Sequence, residues 1–139
     1  MATGILIVSH SEKLAEGIVE LISEMANDSV VIKQAGGTED GRLGTDAVRV
    51  QAAIESMADC GAILIYCDLG SSIISSEMAI EMLDDDALRE KVQIVDCPIV
   101  EGAFTGVVQA SLTEDVAEIV AVSRSEEHTS ELQSRSAIS

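Results

Sequence analysis

Gly4-Ile-Leu-Ile-Val-Ser9 is a short run of branched apolar residues that ends at a small polar one. Such a run, apolar on both faces, is typical of a strand buried on both sides of a parallel sheet. A helical pattern follows, with a row of glutamates on one face and apolar residues on another. The expected apolar face is Leu14, Ile18, Leu21, Ile22 and Met25. This helix begins either with Ser9 in a capping box with Glu12, or with Ser11 as the cap and Glu12 in the first turn.

Strands and helical segments continue to alternate along the chain. The predicted strands are 30–32, 61–67 and 92–96, and helical segments are predicted after Thr45, after Ser72, over 99–112 and over 113–122. Strands that alternate with helices form βαβ units with right-handed crossovers. We therefore expect an α/β fold with an open, mostly parallel sheet of four or five strands and helices on both faces. The methionines at helical spacing, Met57, Met78 and Met82, are expected in the core.

The composition limits the classes of partner. The chain has 139 residues, with 25 Asp and Glu against 8 Lys and Arg, and 47% of its residues are apolar. This length suits one domain, and the apolar share is sufficient for a folded core. A net charge of −17 repels nucleic acid and anionic membranes, whereas it fits docking onto a basic patch of another protein. Because no apolar run is long enough to span a bilayer, the protein is expected in the cytoplasm.

The sequence changes character at Ser123. Residues 123–139 are polar and rich in serine, without an apolar period, and they resemble translated sequencing-adapter read-through. We therefore predict one domain over residues 1–122 and a tail over 123–139 that is non-native or disordered. The tail contains His128, which leaves His10 as the histidine of the domain.

Polar residues follow each predicted strand, at the edge of the sheet where α/β proteins bind ligands. His10 stands at the start of a helix, where the helix dipole disfavours an imidazolium and stabilises an added anion. A neutral imidazole attacks phosphorus through one nitrogen while an acceptor holds the other. Asp68, at the end of the third predicted strand, is the candidate acceptor, and Asp96 and Glu101 follow the fourth strand. The alternative is a histidine that only fills a loop.

Two loops at the same edge offer groups for an anion. Gly36-Gly-Thr38 and residues 41–45 can bind an oxyanion through main-chain amides. This loop matches neither Walker A nor GxGxxG, so a flexible connection is the simpler interpretation of its sequence. Asp68-Leu-Gly-Ser-Ser72 either belongs to the site or is an ordinary turn and helix cap. No metal is expected, because the residues form no cluster with ligand spacing.

Five motifs occur in order at the predicted strand ends. They are Gly4-Ile-Leu-Ile-Val-Ser-His-Ser-Glu-Lys-Leu-Ala-Glu-Gly17, Gly36-Gly-Thr38, Gly44-Thr45, Asp68-Leu-Gly-Ser-Ser72 and Pro98-Ile-Val-Glu-Gly-Ala103. Together they resemble the DhaM subunits of phosphotransferase-system-dependent dihydroxyacetone kinases, over about residues 1–122. More distantly, the chain is similar to the enzyme IIA domains of mannose-type sugar transporters, which share the α/β fold and the histidine at the first strand end.

The resemblance implies a phosphotransferase that carries a phosphoryl group on His10, at Nε2. The group would come from phospho-HPr and pass to ADP on a DhaL-type subunit, whose ATP then phosphorylates dihydroxyacetone bound by a DhaK-type subunit. Asp68 would hold the other ring nitrogen of His10. The loops around the site would contribute Gly36, Gly37, Thr38, Gly70, Ser71 and Ser72. A homodimer is also implied, with donor proteins on separate chains and no cofactor except the covalent phosphate.

Two other functions stay open at this point. An enzyme IIA of a mannose-type transporter performs the same chemistry on His10 but delivers the phosphoryl group to an enzyme IIB. A non-catalytic regulatory or binding domain on the same fold performs no transfer. The motifs Asp68-Leu-Gly-Ser-Ser72 and Glu101-Gly-Ala103 favour the DhaM-type function over the transporter.

Overall fold

A parallel sheet lies between two layers of helices. The computed structural model describes residues 1–125, so that the predicted tail beyond residue 125 lies outside the described residues. The elements in chain order are β1 (Thr3–Val8), α1 (Glu12–Ser23), β2 (Val30–Gln34), α2 (Ala47–Glu55), β3 (Ala62–Cys67), α3 (Gly70–Glu81), α4 (Asp86–Glu90), β4 (Val92–Val95) and α5 (Ile99–Ala110). A further helix, α6, occupies residues 116–125. Within residues 1–125, no helix is both long and apolar enough to cross a bilayer.

The strand order of the sheet is β2-β1-β3-β4, and all neighbouring strands run parallel. β1 and β3 are the central strands, and Ile5 of β1 pairs with Leu64 of β3 and with Ile32 of β2. Every residue of the two central strands is buried, as expected of strands that are covered on both faces. The predicted α/β fold with an open parallel sheet is confirmed, with four strands in the described part of the chain.

Alternate residues of the central strands point into two separate cores. Leu6 and Ile63 face the layer formed by α2, α3 and α4, whereas Ile5 and Leu64 face the layer formed by α1, α5 and α6. The first helix layer contributes Val50, Ile54, Ala79 and Leu88, and Leu83 joins them from the loop between α3 and α4. The second contributes Ala15, Ile18, Ile22, Ala103, Val107 and Ile119. The two helix layers hold the central strands rigidly, and the loops at their carboxyl ends are therefore well supported.

The predicted inner face of α1 is partly wrong. Ala15, Ile18 and Ile22 form the buried stripe, and the other predicted members lie outside it. Leu14, Leu21 and Met25 are each between 44% and 46% exposed. The buried positions repeat at three and four residues, which gives one narrow stripe on the helix. The sequence pattern located the helix correctly but overestimated the width of its buried face.

The inner face of α3 consists of small residues, namely Ser72, Ser76 and Ala79. Small side chains allow this helix to approach β3 closely, with Ile73 and Ile80 packed at the edges of the core and Ile74 and Met78 on the outside. Met78 and Met82, predicted in the core, are 50% and 37% exposed, whereas Met57 is buried as predicted.

Helix starts differ in detail from the sequence prediction. Ser11 caps α1, so the second of the two predicted arrangements is the observed one. Asp46 caps α2 with its side chain, in place of the predicted Thr45. The short helix α4 was not predicted, and its cap is the side chain of Asp85. Acidic residues at these positions satisfy main-chain N–H groups and complement the helix dipole.

Ser123 belongs to the packed structure. It is fully buried in α6, and its Oγ lies 2.8 Å from the hydroxyl of Tyr66 in β3. Burial raises the pKa of Tyr66 above its ordinary value, since the ionised form is disfavoured inside the core. A Cβ at Gly106 of α5 would overlap this hydroxyl, which explains the small residue there. The helix α6 therefore crosses the boundary that we placed after residue 122, and the extent of the domain stays a prediction.

Candidate active site

The candidate site lies at the carboxyl ends of β1 and β3. Val8 pairs with Cys67 at the end of this strand pair, so the next residues, Ser9-His10 and Asp68, leave the sheet side by side. The loop after β2 reaches the same edge, because β2 is the other neighbour of β1. His10 and Asp68, which the sequence analysis paired as nucleophile and candidate acceptor, are therefore neighbours.

Asp68 collects hydrogen bonds from four residues. Its carboxylate accepts from the hydroxyls of Ser9 and Ser72, each at 2.7 Å. It also accepts from the main-chain N–H of Leu69 at 2.7 Å, and the main-chain N–H of His10 lies 3.2 Å from both of its oxygens. Within residues 1–125, none of the hydrogen bonds of Asp68 goes to the imidazole ring.

The carboxylate therefore holds the main chain of His10, whereas the resemblance implied a contact with the ring. Donors already occupy the acceptor positions of Asp68, because two hydroxyls and two N–H groups surround it. Within residues 1–125, the hydrogen-bond partner of the ring is Ser71, whose Oγ makes a long contact of 3.5 Å with Nδ1 of His10. That Asp68 orients His10 stays a prediction. The contact between the two residues in the structure is the hydrogen bond from the main-chain N–H of His10 to the carboxylate.

The glycine-rich loop between β2 and α2 holds the other side of His10. The carbonyl of His10 accepts from the N–H of Gly44 at 2.7 Å, and the carbonyl of Ser9 accepts from the N–H of Gly37 at 3.1 Å. Both glycines have a positive φ, +70° at Gly37 and +134° at Gly44, which residues with a Cβ rarely adopt. The main-chain N–H and C=O of His10 are thus both hydrogen-bonded, and the loop forms part of the framework of the site.

Two threonines shape this loop. Thr38 exchanges hydrogen bonds with the main chain of Arg42, so it closes the turn within the loop. Thr45 donates from Oγ1 to the carbonyl of Ser71 at 3.1 Å and lies 2.7 Å from the hydroxyl of Ser75. The end of the loop is therefore tied to the first turns of α3, where the group nearest the imidazole is located.

Arg49 is a residue of the site that the sequence reasoning missed. Its Nη2 donates to Oε2 of Glu12 at 3.1 Å and to the carbonyl of Gly36 at 3.3 Å. It therefore joins the start of α1 to the glycine-rich loop. The three residues are far apart in sequence and form no known motif, so nothing in the sequence marked the arginine.

The first turn of α3 adds hydrogen-bond donors. Its N-cap residue, Leu69, makes no capping bond with its side chain, Gly70 and Ser71 are exposed, and Ser71 contacts the ring of His10. A helix N-terminus with free N–H groups stabilises an anion. Asp96 at the end of β4 and Glu101 in the first turn of α5 are exposed, one strand further from β1. Among residues 1–125, no three His, Cys, Asp or Glu side chains are placed to hold a metal ion.

We expect Asp68→Asn to lower the free energy of unfolding at pH 7, with a deficit that shrinks in acid. Burial raises the pKa of Asp68, but hydrogen bonds from Ser72, Ser9 and the main chain outweigh burial and hold the pKa below its ordinary value. The lowered pKa stabilises the fold at neutral pH, and this contribution is lost as the pH falls below about 4 and through the folded-state pKa.

Urea unfolding at a series of pH values measures this deficit. Asp84→Asn, a charge-matched change in an exposed turn, is the control and should leave stability near that of the wild type at every pH. A deficit for Asp68→Asn that is the same at pH 7 and in acid would show that the amide merely packs badly.

Comparison with known families matches residues 4–120 to the family EIIA-man, described as PTS system fructose IIA component. A relative from Listeria innocua serovar 6a, named PEP-dependent dihydroxyacetone kinase 2, phosphoryl donor subunit DhaM, is 50% identical over 106 residues. The match covers 76% of this chain and 84% of that protein.

A second relative and a solved structure agree with this match. The protein from Escherichia coli (strain K12) named PEP-dependent dihydroxyacetone kinase, phosphoryl donor subunit DhaM, is 40% identical over 119 residues. That match covers 84% of this chain and only 25% of the relative, so the chain corresponds to about a quarter of that longer protein. The crystal structure of unknown function protein EF1359 superposes with a TM-score of 0.80 at 38% identity, over 89% of this chain and 94% of that one.

Proposed function

Since the chain belongs to the EIIA-man family and, within it, to the DhaM-like phosphoryl donor subunits of dihydroxyacetone kinases, we propose that it carries the phosphoryl group on His10. His10 takes the group from phospho-HPr and gives it to ADP on a DhaL-type subunit. The observation that carries the proposal is the position of His10, whose main chain is held by Asp68 and Gly44 at the sheet edge.

The chemistry needs a neutral imidazole with one free nitrogen. Nδ1 lies beside the hydroxyl of Ser71, which leaves Nε2 to attack. A bond forms between Nε2 of His10 and phosphorus as the bond between phosphorus and the imidazole of the donor breaks, and the proton on Nδ1 stays in contact with Ser71. In the second transfer, the bond from Nε2 to phosphorus breaks as an oxygen of the β-phosphate of ADP attacks, and ATP is formed.

Phosphoryl transfer depends mainly on positioning and on stabilisation of negative charge. The N-terminus of α3 supplies partial positive charge near Ser71, because the first N–H groups of a helix have no partner within the helix. Ser71 adds a hydroxyl at the same place. This local supply of donors matters for a chain of net charge −17, in which a phosphoryl dianion is otherwise repelled.

An exposed apolar stripe on α3 supports docking of a protein partner. Ile74, Met78 and Met82 recur at four-residue intervals and are 60%, 50% and 37% exposed. The stripe begins at Ile74, one helical turn after Ser71, so a protein seated at this end of α3 would lie near the imidazole. We assign this stripe to HPr and to the DhaL-type subunit in turn, in the cytoplasm, with the DhaK-type subunit holding dihydroxyacetone. The subunit is further proposed to act as a homodimer.

Phosphoryl transfer from labelled phosphoenolpyruvate tests the proposal. With enzyme I and HPr present, the protein should take up about one label per chain, and a DhaL-type subunit with ADP should remove it. Label that leaves only on addition of an enzyme IIB would favour a mannose-type transporter component. Absence of label with an intact His10 would favour a non-catalytic domain and would refute phosphoryl transfer.

A further inference from the structure

Ser9 occupies the centre of the hydrogen-bond network beside His10, although the proposed chemistry does not use it. It is fully buried, and its hydroxyl donates to Oδ2 of Asp68 at 2.7 Å. The same hydroxyl accepts from the main-chain N–H of Ser11 at 3.0 Å. Its carbonyl accepts from the N–H of Gly37 at 3.1 Å. Ser9 therefore contacts all three segments that surround His10: the carboxylate after β3, the start of α1 and the glycine-rich loop.

We propose that Ser9 is a positioning residue for the phosphoryl-accepting imidazole, an inference that rests on the proposed function. His10 is the single residue between Ser9 and Ser11, and the hydroxyl of Ser9 bridges across it to the N–H of Ser11. This bridge closes a turn around His10, of the kind that serine side chains form with the main chain two residues on. The direction in which the His10 side chain leaves the main chain is thereby fixed relative to Asp68 and Ser71.

The attachment of Asp68 to the segment that carries His10 depends on the hydroxyl of Ser9. Of its two hydroxyl donors, Ser72 belongs to α3, whereas Ser9 belongs to the segment that carries His10. The hydroxyl of Ser9 therefore joins the two sides of the site through the carboxylate. A hydrogen bond to a charged group is shorter and stronger than one between neutral groups. The bond from Ser9 to the carboxylate is therefore suited to hold the two segments in a fixed relative position. Loss of the hydroxyl leaves the His10 segment attached to Asp68 through one bifurcated main-chain contact.

Ser76 is a matched control for a structural role. It is also fully buried, but its hydroxyl lies 3.5 Å from Sγ of Cys67, inside the core below the site. Ser9→Ala and Ser76→Ala each remove one buried hydroxyl and are expected to lower stability, Ser9→Ala by more because its hydroxyl bonds a carboxylate. The two changes differ in whether the removed hydroxyl contacts the surroundings of His10.

Phosphoryl acceptance separates the two roles. At a temperature where unfolding measurements show all variants folded, Ser9→Ala should accept label from phospho-HPr about 10 to 100 times more slowly, as for other residues that orient a reacting group. Ser76→Ala should stay within about threefold of the wild type, a difference below 1 kcal/mol. Ser9→Thr keeps the hydroxyl and should recover much of the rate. A rate for Ser9→Ala equal to that of Ser76→Ala overturns the proposal.

The ring of His10 can also be observed without any donor protein. In 15N-resolved NMR spectra of the unphosphorylated protein, Ser9→Ala should shift and broaden the imidazole signals of His10, whereas Ser76→Ala should leave them unchanged. Unchanged signals in Ser9→Ala overturn the positioning role even if the wild type takes up phosphate. Failure of the wild type to take up label, with the ring signals shifted, instead refutes phosphoryl transfer and leaves Ser9 as a residue that orients His10.

Discussion

Replacing His10 with glutamine should abolish phosphoryl uptake from phospho-HPr while the fold stays intact. The imidazole supplies the nucleophile, and glutamine has no nitrogen that can attack phosphorus. The main-chain contacts of His10 with Asp68 and Gly44 do not depend on the side chain. Within residues 1–125, the hydrogen bond of the ring is the long one with Ser71, so stability should change by no more than about 0.5 kcal/mol.

The chain contains its own control for this experiment, since His128 is its second histidine. Labelling from phosphoenolpyruvate through enzyme I and HPr should fall to background in His10→Gln and stay at the wild-type level in His128→Gln. The label on the wild type should be lost in acid, as expected of a phosphoramidate, and kept in alkali. Equal labelling of His10→Gln and wild type would show that another residue carries the phosphoryl group.

The framework of this site was predictable because it depends on local patterns. The run before Ser9 and the run before Asp68 are continuous and apolar, and such runs are typical of central strands in a parallel sheet. Adjacent parallel strands end at the same edge, so the polar residues after them had to lie close together. The alternation of elements therefore placed His10 and Asp68 at one edge of the sheet, and the observed strand order, in which β1 and β3 are adjacent, makes them neighbours.

The contacts within the site were not predictable in the same way. The resemblance implied a direct contact of Asp68 with the ring of His10. Whether such a contact forms depends on which donors surround the carboxylate, and these are the hydroxyls of Ser9 and Ser72 and two main-chain N–H groups. Arg49 joins two segments that are distant in sequence, so its role depends on tertiary packing. The outward positions of Met78 and Met82 have the same origin, because the small inner residues of α3 set how the helix lies. The spacing of apolar residues and the amino-acid composition do not determine these contacts or the orientation of α3 against the sheet.

Gly36→Ala should destabilise the protein and impair phosphoryl uptake, although it adds one methyl group. A Cβ at Gly36 would lie 2.7 Å from Cβ of Ala15, 2.8 Å from the carbonyl oxygen of Ser11 and 2.9 Å from Cα of Glu12. Two of these atoms belong to the main chain at the start of α1, so they cannot rotate away. Either the loop or the helix must move, and overpacking of this kind costs about 1 to 3 kcal/mol.

The displaced loop carries the contacts that hold His10. Gly37 follows Gly36 directly and donates to the carbonyl of Ser9, and Arg49 holds the carbonyl of Gly36 itself. A shift of a few tenths of an ångström here is transmitted to the segment that contains the nucleophile. Because transfer depends on geometry, we expect uptake from phospho-HPr to slow by about 10 to 100 times in Gly36→Ala.

The same substitution at Gly17 should have the opposite effect on stability, which makes it the matched control. Gly17 lies in the middle of α1, is exposed, and has no atom within 4 Å of the position that a Cβ would take. Alanine there should stabilise the helix by about 0.5 to 1 kcal/mol and leave uptake unchanged.

Thermal and urea unfolding of both variants, with the labelling assay, measure the contrast. If Gly36→Ala proves as stable and as active as Gly17→Ala, the loop does not pack against α1 closely enough to position His10. A lower free energy of unfolding for Gly36→Ala and a higher one for Gly17→Ala would show that the close approach of loop and helix holds the site together. Glycine content as such would then not be the cause.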